Sequence, residues 1–300
     1  MQPVFFFCVL VASVALNFVG FLMSLFIAVV SFKTWTTKHS RSPSDRILFS
    51  LAVSRLLMLG LLLLNMGFIF SAADQDRSVS LSTFFLLSWM FLDTSGLWFV
   101  TLLNTLYCVK ITNLQHAAFL LLKRHLAAKT SRLLLASVLT PTLTTLLFFM
   151  INWTSSISEL GPKRNQSTFG FSRSAVVLVM SSFLSSFPQF ILNVTSASLL
   201  INSLQRHIQK MRRNATGFWN PQTEATVGAM KLMIYFLILY VPYSFATILS
   251  YLPHSVGMGV ATRAVCIIVS TVYSPGHSLL LILTHPRLKT KAKHVLSCSR

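Results

Sequence analysis

Two ionisable side chains stand inside long apolar runs of this sequence, Arg55 in LAVSRLLML and Asp93 in SWMFLDTSG. A charge at mid-membrane costs at least ~2.5–3.5 kcal/mol on insertion scales, so each needs a partner, a cavity or a function. Trp89 precedes Asp93 by four residues and therefore stacks one helical turn from it on the same face. An indole beside a carboxylate suits a lipophilic ammonium ion, through cation–π attraction and charge pairing in a partly dry site. The competing reading has Asp93 bonded to a Ser or Asn of a neighbouring helix and Trp89 as ordinary packing. Arg55 lies toward the other end of its run, where an interhelical polar network with a structural or switching role is expected rather than ligand contact. The two charges could also pair directly if their helices touch.

Other chemistry has no residues to carry it. One intramembrane Asp does not make an aspartyl dyad, and the sequence has neither HExxH nor a Gly-rich phosphate cradle. The last apolar run has no Lys to hold retinal as a Schiff base. Cys8, Cys108, Cys266 and Cys298 are scattered singly, without metal-ligand spacing or a disulfide framework. The sequence thus argues against an enzyme, and no cofactor or metal is expected.

The elements that must position Arg55 and Asp93 follow from composition. Of 300 residues, 54% are hydrophobic and 10% charged, against roughly 45–50% and 25% in soluble domains. The apolar residues come in blocks longer than the ~20 residues an α-helix needs to cross the hydrocarbon. Stretches bounded by charge, Pro or Asn predict seven spans, at 4–32, 46–70, 81–109, 132–152, 175–203, 229–252 and 263–284. The expected fold is an all-α seven-helix bundle, one domain over 1–300, with 285–300 as a short tail. Met1-Gln2-Pro3 carries no basic residue, and the run behind it is too long for a cleavable signal, so the first span is expected to insert the chain.

Orientation follows from Lys and Arg, which concentrate in cytoplasmic loops. Of the 25, 19 fall in Lys33 to Arg46, Lys110 to Arg132, Arg206 to Lys231 and Arg287 to Arg300. Arg77, Lys163, Arg164, Arg173 and Arg263 fall on the other side. The N-terminus is therefore expected outside and the C-terminus inside. The same asymmetry accounts for the formal charge of +19 without nucleic acid, since anionic cytoplasmic lipid attracts such loops. Asn165-Gln166-Ser167 is a glycosylation sequon well placed in the second outer loop. The sequons at Asn152, Asn193 and Asn214 lie at a membrane edge, inside a span and on the cytoplasmic side. Paired broken helices in related halves, or a selectivity-filter motif, would mark a transporter or channel, and neither is seen. Pro141, Pro188, Pro242 and Pro275 interrupt spans in the manner of receptors that bend their helices.

The inner-end motifs differ from those of rhodopsin-like receptors, with LYCVKI (Leu106 to Ile111) and YSPGHSLLLIL (Tyr273 to Leu283) in place of Asp-Arg-Tyr and NPxxY. Together with DRILFSLAVSR (Asp45 to Arg55), SLLINSLQRHIQKM (Ser198 to Met211), NPQTEATVGAMKLM (Asn220 to Met233) and HSLLLILTHPRLK (His277 to Lys289), they make the chain resemble the type 2 taste receptors from end to end.

The resemblance implies a plasma-membrane receptor for small, mostly lipophilic bitter compounds. It would couple to a heterotrimeric G protein of the gustducin and inhibitory class, with phospholipase and calcium signalling downstream, in taste cells and in ciliary membranes of other sensory epithelia. It places Trp89, Asp93, Tyr240, Tyr243 and Ile268 at ligand-facing or toggling positions. Arg55, Tyr107, Lys110, His207, His277 and Ser278 fall at positions of switching and G-protein coupling. Membrane lipid is an expected partner, and homo- or hetero-oligomerisation stays open. Ser24 stands where most members carry an Asn that would bond the Arg55 network, so that network is weaker or holds a water. His285 replaces a common Asn after the seventh span. Ile268 replaces polar or acidic residues, leaving Asp93 as the one acid expected in the pocket. A vomeronasal type 1 or other chemosensory receptor, and beyond receptors a transporter or channel, remain as alternatives.

Overall fold

The structure is a computed structural model that describes residues 2–37, 42–71, 79–112, 130–159, 173–213, 221–250 and 259–298. These form eight helices: α1 (Gln2–Thr37), α2 (Pro43–Ser71), α3 (Val79–Ile111), α4 (Thr130–Glu159), α5 (Arg173–Arg213), α6 (Pro221–Ser250), α7 (Val260–Thr284) and α8 (Pro286–Cys298). The first seven contain segments long and apolar enough to cross a membrane. The chain is a multi-pass membrane protein. Three helices, α2, α6 and α8, begin on proline, whose fixed φ suits the first helical position and whose missing N–H is not needed there.

The helices overrun the expected spans at the end of the bundle where Lys and Arg gather, here called the basic end. There α5 continues to Arg213 and α6 starts at Pro221, because segments such as LQRHIQKM consist of good helix formers even where they are polar. The expected tail contains α8, which His285 separates from α7. The His285 N–H still closes onto the Leu281 carbonyl at 2.9 Å, and its own carbonyl accepts from Lys289 N–H at 3.0 Å as α8 begins.

In packing order, α1 lies against α2 and α7, while α3 runs through the middle against α2, α4, α5 and α6. The α1–α7 contact is close because a Cβ at Gly20 would sit 3.4 Å from Pro275 Cβ, so any larger side chain there presses on the proline. Leu51, Val100, Leu103, Phe236 and Leu281 fill the middle of the bundle and are almost fully buried. Large apolar side chains such as Leu64, Leu135 and Phe245 point outward instead. Polar residues, among them Ser24, Arg55, Asn104, Gln189, Asn193, His277 and Ser278, are buried. A surface that suits hydrocarbon and an interior that keeps the polar groups is what lipid as solvent selects. Hydroxyls on α4 return their protons to the backbone one turn earlier, as in Ser137 to Leu133 O at 2.8 Å and Thr142 to Val138 O at 2.8 Å.

Candidate functional site

A cavity of about 290 Å³ lies among α1, α2, α3, α6 and α7. It runs from Ser250, the last residue of α6, down to Arg55. Its α3 wall carries Trp89 and Asp93 on successive turns, as their spacing requires. Its α7 wall offers the hydroxyls of Ser270, Thr271 and Ser274, and Tyr243 closes it on the α6 side. The helices can approach at its floor because Gly96 faces α2, and Ser54 Oγ donates to the Leu92 carbonyl at 3.0 Å.

Arg55 and Asp93 both line this one cavity, Arg55 at its floor, while the hydrogen bonds of Arg55 run into an interhelical polar network of the kind expected for it. Guanidinium reach brings Arg55 to the floor: a long side chain carries its charge well away from the helix position that holds it. The two do not form a salt bridge. The ion pair found among the described residues is Arg287 with Asp45, at 2.8 Å. Arg55 instead donates to Ser278 Oγ at 2.6 Å and to His277 Nδ1 at 2.9 Å. A guanidinium can only donate, so Nδ1 accepts and the neutral ring carries its proton on Nε2. Ser24 Oγ reaches Ser278 Oγ only at 3.5 Å, and a void of about 20 Å³ borders Ser24 and Arg55, room for one water.

Asp93 receives a hydrogen bond from the Tyr243 hydroxyl. From there an aromatic ladder leads toward Arg55. Tyr243 stacks on Tyr273, centroids 4.4 Å apart and planes 30° from parallel, and Tyr273 on His277 at 6.1 Å and 17°. Phe236 meets the edges of Tyr273 and His277 and stacks on Tyr240 at 5.3 Å. Asp93 and Arg55 are thus joined by side chains of α6 and α7 without touching.

The remaining expected residues are distributed as follows. Tyr240 is buried behind the ladder, with its hydroxyl donating to the Ser186 carbonyl at 2.9 Å, and does not line the cavity. On α7 the neighbouring Ile267 lines it, and Ile268 does not. Tyr107 and Lys110 border a separate cleft of about 270 Å³ at the basic end, together with Gly228, Thr284, His285 and Arg287. Burial lowers the His285 pKa below the usual histidine value, and Arg287 and Lys110 push the same way against Asp45. His207 lies on α5. Asn165 lies outside the described residues.

Sequence reasoning missed a polar seam between α3 and α5. Asn104 Nδ2 donates to Asn193 Oδ1 at 2.7 Å, and Asn193 Nδ2 donates to Thr101 Oγ1 at 2.9 Å and to the Gln189 carbonyl at 2.7 Å. The signal was available, since Ser181, Ser185, Gln189 and Asn193 recur every four residues along one face of a membrane-spanning helix.

Seven spanning helices around a cavity at one end, with a cationic cleft at the other and a polar ladder between, define a transmembrane receptor. Residues 1–300 match the family model for the taste receptor protein TAS2R. The chain is 60% identical over 296 residues to taste receptor type 2 member 4 of Pongo pygmaeus, and 59% to that of Homo sapiens, each covering 99% of both chains. Taste receptor type 2 member 4 of Mus musculus is 56% identical over 287 residues, 96% of both chains. The chain belongs to the TAS2R family, the bitter taste receptors, which are G-protein-coupled receptors and not enzymes.

Proposed function

We propose that the chain is a receptor of the plasma membrane for small lipophilic bitter compounds, with its N-terminus outside, and that it signals through gustducin-class G proteins to phospholipase C and calcium release. The observation that supports this best is the continuity from Asp93 through Tyr243, Tyr273 and His277 to Arg55. A ligand ammonium at Asp93 competes with the Tyr243 hydroxyl for the carboxylate. Relieving that bond frees α6 to move relative to α3, and the stacked rings pass the displacement to α7 and Arg55. Trp89 supplies the aromatic face for the cation and apolar area for neutral ligands. Displacement of α6 and α7 widens or narrows the cleft between Gly228 and Thr284, where Tyr107, Lys110 and His285 would meet the G protein. His207, on α5, is proposed to serve coupling, and Ser278, buried against Arg55, the switch.

Taste cells and sensory cilia are the proposed locations, and Asn165 the proposed glycan carrier. Cells expressing the chain with gustducin should release calcium on exposure to a panel of bitter compounds, and omission of the G protein should abolish the response. Current or substrate flux without any G protein would overturn the reading. Staining of a C-terminal tag on intact cells would overturn the orientation.

A further inference from the structure

Behind the Asp93–Tyr243 bond lies a second, smaller space of about 30 Å³, among α3, α4, α5 and α6. Asp93, Leu97, Tyr243 and Thr247 border both this crevice and the main cavity, so they form the partition between them. Its far wall is built of hydroxyls, with Thr94 on α3, Thr144 and Thr145 on α4, and Ser181, Ser182 and Ser185 on α5.

The decisive residue is Ser185, more than nine-tenths buried, whose Oγ has no hydrogen-bond partner among the described residues. One turn further along the same face of α5, beyond the crevice lining, Gln189 is buried with both ends of its amide unpartnered among the described residues. A buried polar group without a partner is unfavourable, so this space selects an occupant that can hydrogen-bond. At one water-sized group per ~10–15 Å³, the crevice has room for about two such groups.

We infer that this crevice is a second binding subsite, which takes the compact, uncharged hydrogen-bonding arm of an amine ligand, a hydroxyl or a primary amide, once the ammonium group at Asp93 has displaced the Tyr243 hydroxyl. The inference rests on Asp93 as the amine anchor. It adds that a polar substituent close to the nitrogen raises affinity. A second charge is refused, because the crevice offers only hydroxyls to receive it and Asp93 is already engaged.

The probes are a phenylalkyl tertiary amine and the same amine bearing one hydroxyl two carbons from nitrogen. On the unaltered receptor the hydroxylated member should be about three- to tenfold more potent, the effect of one net hydrogen bond. Ser185→Ala should erase that ratio and leave the plain amine unchanged, and Ser185→Thr should restore it. An unchanged ratio in Ser185→Ala, or an equal loss of both amines, would overturn the subsite.

Occupancy is read separately with Ser185→Cys on a Cys266→Ser background, since Cys266 lines the main cavity. The hydroxylated amine should protect the new thiol from a small methanethiosulfonate, and the plain amine should not. Equal protection, or a thiol that never reacts, would also overturn it. If Asp93→Asn leaves the plain amine unaffected while the ratio still depends on Ser185, the anchor reading fails and the subsite stands.

Discussion

The cavity and the basic-end cleft are similar in size, about 290 and 270 Å³, and opposite in character. The cavity sets one carboxylate and one guanidinium among aromatic and hydroxyl walls. The cleft carries Lys110, Arg287 and His285, with burial and the neighbouring cations opposing a charge on the histidine. One space is thus equipped for a small cation or neutral molecule, the other for an acidic partner. What separates them is the Arg55 network, which is anchored in α2 and α7 and touches the cavity floor.

The comparison breaks most completely if Arg55 is removed. Taking one member from a buried charge network typically costs ~3–5 kcal/mol in soluble proteins, so Arg55→Ala should depress surface expression and the response to every agonist alike. Surface staining with calcium dose–response curves checks this. A loss confined to one ligand would make Arg55 a contact residue of the cavity.

The next effect belongs to the cavity alone. Asp93→Asn keeps shape and removes charge, and loss of a charge-assisted hydrogen bond costs roughly 1.5–3 kcal/mol, about ten- to hundredfold. Amine agonists should weaken by that factor and neutral ones should not, whereas Trp89→Ala should weaken both. Equal losses for neutral and cationic agonists in Asp93→Asn would reduce Asp93 to a structural role.

At the cleft, Lys110→Glu reverses an exposed charge without touching the cavity. It should lower the maximal G-protein response severalfold and preserve the rank order of agonists, measured by nucleotide exchange in membranes. Altered ligand ranking would show that the two spaces are not separate. The smallest effect is expected from Ser24→Asn, which extends an amide into the 20 Å³ void beside Arg55. One added hydrogen bond contributes about 1 kcal/mol, readable as a modest rise in thermal stability of the detergent-solubilised receptor.

The spans were legible because a membrane demands unbroken apolar blocks, and the stacking of Trp89 over Asp93 was legible because helical spacing alone decides it. α8 was not, since 13 residues that include Arg287, Lys289, Lys291 and Lys293 carry too little hydropathy to stand out. On α7 the cavity is lined by Ile267 and not by Ile268, and the face was readable, since Ile267 shares it with Ser270, Thr271 and Ser274, three, four and seven residues further on. That Arg55 also reaches the cavity floor was not legible, because counting residues locates a Cα, not the end of a long side chain. The Ser185 and Gln189 positions were readable as a four-residue polar repeat, but their lack of partners is a fact of packing.

The Arg287–Asp45 ion pair and the Arg55 bonds to His277 and Ser278 all span more than 220 residues of chain. Ribosomes make protein from the N-terminus, at about 5–20 residues per second. Asp45 and Arg55 therefore enter the membrane long before the residues that satisfy them exist. Until then the nascent chain holds open charges in lipid, a state that quality-control machinery can read. A message truncated before codon 277 would yield six spans with no means of closing, and its product should be degraded rather than exported.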